Sequence, residues 1–190
     1  NSKNCIVDYS ISTFKSVSKI TEIILVCPKD WEMKLSKEYK NIKIVLGGET
    51  RAVSSMNGLN ACSKETENVL IHDAARPYIS KCLIENVIKN LKNFEAVIPI
   101  LSCTDSLLQI NSNSFNYLER EKIKCIQTPQ GFKYRFIMEA YKNIDFNLSI
   151  FSDDFSIAST YKSDISYNFI NGETSNYKIT TSNDIDLAKK

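Results

Sequence analysis

The chain is 190 residues long, which suits one α/β domain with a core of its own. Its 24 basic and 22 acidic residues leave a formal charge of +2, so no global field draws it to nucleic acid or an anionic membrane, and any phosphate chemistry must come from local geometry. No apolar run approaches a membrane span and no basic-then-apolar leader opens the chain, so a soluble cytoplasmic protein is expected.

Ile6, Tyr9, Phe14 and Val17 recur at mostly helical spacing, which predicts a helix over 6–17 and then a β-rich run at 23–26 ended by Pro28. A second short β run at 42–46 breaks at Gly47 and Gly48, before a helical stretch over 51–62. The third strand, 69–72, ends in Asp-Ala-Ala-Arg-Pro. Leu83, Val87, Ile88 and Leu91 place one apolar face on a helix over 79–91, and 96–101 is the next strand. This sustained alternation predicts a Rossmann-like α/β domain, a mostly parallel sheet with helices on both faces. The segment 106–121, with its polar Asn/Ser centre, breaks the rhythm and is expected to be a hairpin projecting from the sheet. A strand at 124–128, a helix at 134–141, a helix at 152–161 behind a Ser-Asp-Asp cap, a strand at 165–170 and a helix from Ser182 complete the single domain.

The six cysteines, Cys5, Cys27, Cys62, Cys82, Cys103 and Cys125, are widely spaced and contain no CxxC. Metal-site and disulfide-framework readings fail on that spacing, which leaves small buried hydrophobes in a reducing compartment. His72, the single histidine, continues an apolar strand and is expected to be buried, hydrogen-bonded and structural.

Ligands of open α/β sheets bind beyond the carboxyl ends of strands, and four such junctions are polar. At 47–55, two glycines admit close backbone approach, and Arg51 and Ser54 in the first helical turn can meet a phosphate or a base edge; a simple glycine turn with an exposed arginine is the alternative. At 72–77, Asp73 can hold a divalent metal and Arg76 can fork a phosphate, or the two can simply pair with each other. At 127–130, Thr128 can offer a hydroxyl to a phosphate, or the segment is a turn fixed by Pro129. At 176–180, Lys178 in a β-like run is either a point charge for phosphate or a solvated edge lysine. Ser152, Asp153 and Asp154 read as a helix cap, with Ser152 alternatively a phosphate partner.

Taken in order, GGETRAVSSMNGL, VLIHDAARP, the Asp-Ser of CTDSL, Arg120 with IQTPQGF, SDDFS, and NYKIT with DIDLA after it resemble the 2-C-methyl-D-erythritol 4-phosphate cytidylyltransferase family and its relatives, the ribitol 5-phosphate cytidylyltransferases. The resemblance covers essentially the whole chain. It implies Mg²⁺-assisted attack of a polyol phosphate on the α-phosphate of CTP, giving a CDP-alcohol and pyrophosphate. By the same resemblance, Gly48, Glu49, Arg51, Ser54, Asp73 and Ala74 face the nucleotide, with Asp73 near the metal. Arg76, Asp105, Thr128 and Ser152 face the polyol phosphate. Arg120 reaches the acceptor phosphate from a hairpin arm, 106–121, that forms a homodimer, and Lys178 reaches it from the chain's own sheet; Asp73, Arg120 and Lys178 form the catalytic set.

The family's opening strand and loop, AAGxGxRxGxxxPKQ, have no counterpart within these 190 residues, and 1–14 resembles the segment that the family carries after that loop. Asn1 is therefore expected not to be the native start, and these 190 residues alone are expected to be inactive or impaired. The usual Asp-Thr-x-Lys at the hairpin base is Asp105, Ser106, Leu107 and Leu108, and Ser152 stands where threonine is usual. Methylerythritol phosphate is the leading acceptor, ribitol phosphate the runner-up, and a non-catalytic nucleotide-binding or dimer-scaffold remnant the reading from another class. A further enzyme domain beyond Lys190 is left open by the sequence.

Overall fold

The computed structural model of the chain describes residues 5–144 and 148–188. Helix α1 (Ile6–Lys15) precedes β1 (Ile24–Cys27), α2 (Lys29–Glu38), β2 (Lys43–Leu46), α3 (Arg51–Asn60), β3 (Asn68–Ile71), α4 (Lys81–Asn90) and β4 (Ala96–Ser102). Then come β5 (Leu107–Asn111), β6 (Ser114–Leu118), β7 (Lys124–Ile126), β8 (Gln130–Lys133), α5 (Tyr134–Asn143), α6 (Asp154–Tyr161), β9 (Tyr167–Asn171) and α7 (Ser182–Ala188). No helix among the described residues is long and apolar enough to cross a membrane.

The mostly parallel sheet expected from the alternation needs correction. β1 and β2 pair in parallel as a separate ribbon. In the main sheet, β8 lies between β3 and β4 and is antiparallel to both, β7 is antiparallel to β4, and β9 alone pairs with β4 in parallel. Because β3 and β4 both oppose β8, the strands β3, β4 and β9 run in one direction, as a βαβ pattern requires. The added strand is unpredicted because Gln-Gly-Phe-Lys carries a single large apolar residue. What it carries instead is Gly131, where a Cβ would stand 2.4 Å from Val87 Cγ1 on α4. Helix α4 is packed onto bare backbone there, a contact that leaves no hydrophobic pattern to read.

Helices do cover both faces. Side chains alternate along a strand, and Ala96 and Ile98 of β4 join Phe132 against α3, α5 and α6, while Val97 packs with Ile170 against α1 and α4. Helix α4 is capped by Ser80, whose Oγ accepts from Leu83 N at 3.0 Å, and it buries Leu83, Ile84 and Val87. Burying each such side chain stabilises by about 1.5–3 kcal/mol. The predicted elements also lack α2. Its Trp31, Met33 and Leu35 alternate like a strand, and only Leu35 is buried.

The hairpin at 106–121 is present as β5 and β6, paired antiparallel from Leu107 with Leu118 to Asn111 with Ser114. The cysteines depart from expectation. Cys27 is buried, but Cys5, Cys62 and Cys103, which lie just outside α1, α3 and β4, are half-buried, and Cys82 on α4 and Cys125 on β7 are exposed.

Candidate active site

Both faces of the sheet are filled, so open polar space is left at the strand ends. Gly47 follows the end of β2, His72 and Asp73 follow β3, and Gly172 follows β9, while β7 and β8 are separated by Gln127–Pro129 in the middle of the sheet. The expected strand over 124–128 stops at Ile126. Gln127 N still donates to Pro99 O at 2.9 Å, but its side chain turns out to hold the next loop.

Asp73 is the centre. Its carboxylate lies 3.1 Å from Lys178 Nζ, 3.6 Å from Arg76 Nε and 3.7 Å from Arg51 Nε. Burial alone would raise this carboxyl, but Lys178 first, and then Arg51 and Arg76, outweigh it and hold the group below its ordinary value. The pairing of Asp73 with Arg76 that the sequence left as an alternative is thus present, inside a larger cluster of three cations.

Each cation is aimed by something behind it. Arg51 opens α3, whose cap Thr50 accepts from Val53 N at 3.2 Å. Its guanidinium donates to Asp154 Oδ2 at 2.6 Å, and Tyr141 donates to the other Asp154 oxygen at 2.6 Å. Asp154 is fully buried in the first turn of α6, which is capped by Asp153, the middle residue of the expected Ser-Asp-Asp cap. Burial would lower the arginine's pKa, but Asp154 and then Asp73 raise it, and burial beside Asp154 drives the Tyr141 phenol well up. Arg76 donates from Nη1 to Asn176 O at 2.8 Å. Lys178 lies outside any strand, unlike the β-like run expected, and Ile179 N donating to Ala75 O at 2.8 Å pins its segment beside Asp73.

The loop before Lys178 is clamped from inside. Gln127 Nε2 donates to Glu173 O at 2.9 Å and Asn176 O at 3.2 Å, and its Oε1 accepts from Glu173 N at 3.0 Å. Asn176, fully buried, donates to Thr128 O at 2.8 Å. A Cβ on Gly172 would meet Gln127 Oε1 at 2.4 Å, so the glycine makes room for the clamp.

His72 completes the bracing. Thr128 Oγ1 accepts from Asp73 N at 3.0 Å, so its proton goes to His72 Nδ1 at 3.1 Å, and Nε2–H donates to Arg76 O at 3.1 Å. Burial pushes His72 down to about 4, so the ring is neutral, as a structural histidine should be. Thr128 is buried and its hydroxyl is engaged, so here it braces Asp73 and His72 from behind.

At the turn expected to face the nucleotide, Gly48 and Glu49 are exposed before α3. Ser54 Oγ accepts from Gly48 N at 3.0 Å and donates to Thr50 O at 2.9 Å. A Cβ on Gly48 would lie 2.7 Å from Val53 Cβ, so the turn needs glycine. Ala74 is exposed next to Asp73, and Ser152 is exposed before α6. Arg120 and Asp105 stay at the hairpin rather than joining this cluster: Arg120 donates to Thr104 O at 3.1 Å and pairs with Glu121 at 3.3 Å, and Asp105 is exposed at the hairpin root. Sequence reading assigned no site role to Asp154, Tyr141, Gln127 or Asn176. Gln127, Asn176 and Asp154 lie within the motifs that carry the resemblance, which was the one signal for them in the sequence.

The fold and the charge pattern define the class: an α/β domain with a cationic mouth, built around one carboxylate, at its strand ends. The profile of IspD, 2-C-methyl-D-erythritol 4-phosphate cytidylyltransferase, matches residues 2–190, and the chain belongs to that family. It is 35% identical over 196 residues to the 2-C-methyl-D-erythritol 4-phosphate cytidylyltransferase of Clostridium novyi, covering 98% of this chain and 83% of that protein. Over 179 residues it is 37% identical to the bifunctional enzyme IspD/IspF of Pelagibacter ubique, covering 93% of this chain and 47% of the relative. The chain thus spans about half the length of such bifunctional relatives. The crystal structure of 4-diphosphocytidyl-2C-methyl-D-erythritol synthase from Anaerococcus prevotii superposes with a TM-score of 0.89 at 31% identity, covering 98% of this chain and 85% of that one.

Proposed function

We propose that the protein carrying this chain transfers a cytidylyl group from CTP to 2-C-methyl-D-erythritol 4-phosphate, releasing pyrophosphate, in the cytoplasm. Family membership supports the reaction class, and the observation that carries the site is Asp73 with Lys178, Arg76 and Arg51 within 3.7 Å. Transfer at phosphorus asks for charge neutralisation and in-line positioning more than for proton transfer. A cluster of cations around one ionised carboxylate, with a neutral histidine facing inward, suits that demand.

On this reading, the Gly48–Glu49 turn, Ser54 and Ala74 contact cytidine and ribose. Lys178 and Arg76 receive the acceptor phosphate, with Ser152 at the rim and Thr128 bracing from behind. No group of three acidic, histidine or cysteine side chains among the described residues could hold a metal ion alone. Asp73 still suits Mg²⁺, which commonly takes one or two carboxylates and draws its remaining oxygens from phosphates and water. Bound with the triphosphate, the ion would neutralise charge on the reacting phosphate.

The arm supports a homodimer. Leu108 opposes Tyr117 and Ile110 opposes Phe115, giving the hairpin one apolar face, with Ile110 78%, Phe115 64% and Tyr117 72% exposed. Such a face on a two-stranded ribbon asks for cover. A second copy would bring Arg120 and Asp105 to the partner's mouth.

The test is a pyrophosphate-release assay on the intact protein with CTP, Mg²⁺ and either acceptor. Turnover with methylerythritol phosphate and not with ribitol 5-phosphate is expected. The reverse preference would overturn the acceptor, and turnover with neither would overturn the reading.

A further inference from the structure

The sulfur atoms of Cys103 and Cys125 are 3.4 Å apart, at the root of the β5–β6 arm. Cys125 lies in β7 opposite Leu101, and Cys103 comes directly after the last residue of β4, so the two are diagonal neighbours across the final ladder step. Cys125 is exposed and Cys103 half-buried, which leaves the pair open to a small reagent. Side chains on either side already reach across the same gap: Lys124 Nζ donates to Ser102 Oγ at 2.9 Å, and Arg120 Nη1 donates to Thr104 O at 3.1 Å. A covalent bond between the sulfurs would therefore run alongside contacts that exist. The other exposed cysteine, Cys82, sits on α4.

We propose that Cys103 and Cys125 form a reversible disulfide by exchange with low-molecular-weight disulfides, stapling the root of the arm. A disulfide needs its two α-carbons roughly 4.4–6.8 Å apart and its Cβ vectors converging, and side chains already in sulfur contact across a ladder approach that arrangement. The chemistry balances in two exchanges. The Cys125 thiolate attacks one sulfur of the reagent disulfide, forming a mixed disulfide and expelling one small thiolate. Cys103, its proton passing to solvent, then attacks the Cys125 sulfur and expels the second. Two protein thiols are oxidised and one small disulfide is reduced to two thiols. The order of attack follows from access, since Cys125 is exposed and Cys103 half-buried; the hydrogen bond with Cys125 also raises the Cys103 thiol above its ordinary value.

The bridge would close a loop between positions 22 apart, a loop that contains Asp105, both arm strands and Arg120. Closing a loop restricts the conformations open to the chain inside it. The consequence is an arm whose root cannot splay, with Arg120 held near Thr104. If Arg120 meets acceptor phosphate as proposed above, oxidation will change KM for the acceptor and leave KM for CTP unchanged. The cross-link itself stands or falls without that reading.

The experiment equilibrates the intact protein with a series of oxidised-to-reduced glutathione ratios, quenches with alkylating agent and maps peptides without reduction. The expected result is a major cross-linked peptide joining Cys103 to Cys125, lighter by two hydrogens, while Cys82 carries glutathione adduct alone. Cys125→Ser removes the cross-link, Cys82→Ser preserves it, and oxidised wild type is cleaved within 107–118 severalfold more slowly by a limiting protease. Glutathione adducts on Cys103 and Cys125 without a bond between them, at every ratio, would overturn the proposal. So would a cross-link of Cys103 or Cys125 to Cys82 in equal yield.

Discussion

Asp154→Asn removes one negative charge from the chain Tyr141, Asp154, Arg51, Asp73 and leaves the shape nearly unchanged. Asp154 is fully buried, and Arg51, at 33% side-chain exposure, keeps partial access to water. Removing one partner of a fully buried pair costs about 3–5 kcal/mol, and partial exposure of the arginine scales this to about 2 kcal/mol. The amide oxygen can still accept from Tyr141, so that bond adds little to the loss. For a domain of this size, about 2 kcal/mol corresponds to a fall in Tm of about 4–8 °C. Urea unfolding gives the free energy, and a double-mutant cycle with Arg51→Gln isolates the pair, with an expected coupling of about 1–3 kcal/mol. In the pyrophosphate assay the same variant should raise KM for CTP, since Arg51 turns from Asp154 toward Asp73 and loses its aim. Additive effects in the cycle, with an unchanged unfolding midpoint and unchanged KM, would refute the claim that Asp154 positions Arg51.

Other expectations are independent of that pair. Gly131→Ala forces a Cβ to 2.4 Å from Val87 Cγ1, and overpacking of this kind costs about 1–3 kcal/mol; an unchanged urea midpoint would mean that α4 can lift off β8 freely. His72, held near pKa 4 in the fold against an ordinary 6.5, binds its proton more readily when unfolded. Stability should therefore be full above about pH 6.5 and decline by about 2–3 kcal/mol as pH falls toward 4, by the linkage between proton uptake and unfolding. His72→Gln should flatten that slope, as read by thermal melts across the range. Arg120→Ala and Lys178→Ala should each raise KM for the acceptor about tenfold, the loss of roughly 1.4 kcal/mol of contact, while CTP binding measured by calorimetry survives. Equal loss of CTP binding in both would reverse the assigned roles.

The helices with apolar stripes and the strands with β-branched runs were legible because burial on one face leaves a period, as in Leu83, Val87 and Leu91. Strand β8 left none, since a strand that seats a helix on Gly131 advertises a gap. Helix α2 was missed for the related reason that a nearly exposed helix needs no stripe. At the site, the positions of Asp73, Arg76, Arg51 and Lys178 at strand ends came from the motifs, and the structure gathers these four. Their bracing was not legible. Asp154 read as a helix cap because a cap and a buried counter-ion are the same residue type at the same place, and only the packing of Tyr141 and Arg51 against it separates them. The role of Gln127 depends on Gly172, far along the chain, a pairing that no local spacing contains. The cysteines looked like core filler because most of them stand beside an apolar residue, yet Cys125 on β7 is exposed.

The most direct test of the Asp73-centred site is kcat/KM for CDP-methylerythritol formation by Asp73→Asn, set against the intact wild-type protein. The variant keeps the shape and removes the charge that Lys178, Arg76 and Arg51 surround. A fall of at least about a hundredfold, or about 2.7 kcal/mol of transition-state stabilisation, is expected with the fold retained by circular dichroism. A folded Asp73→Asn protein turning over at the wild-type rate with unchanged Mg²⁺ dependence would contradict it.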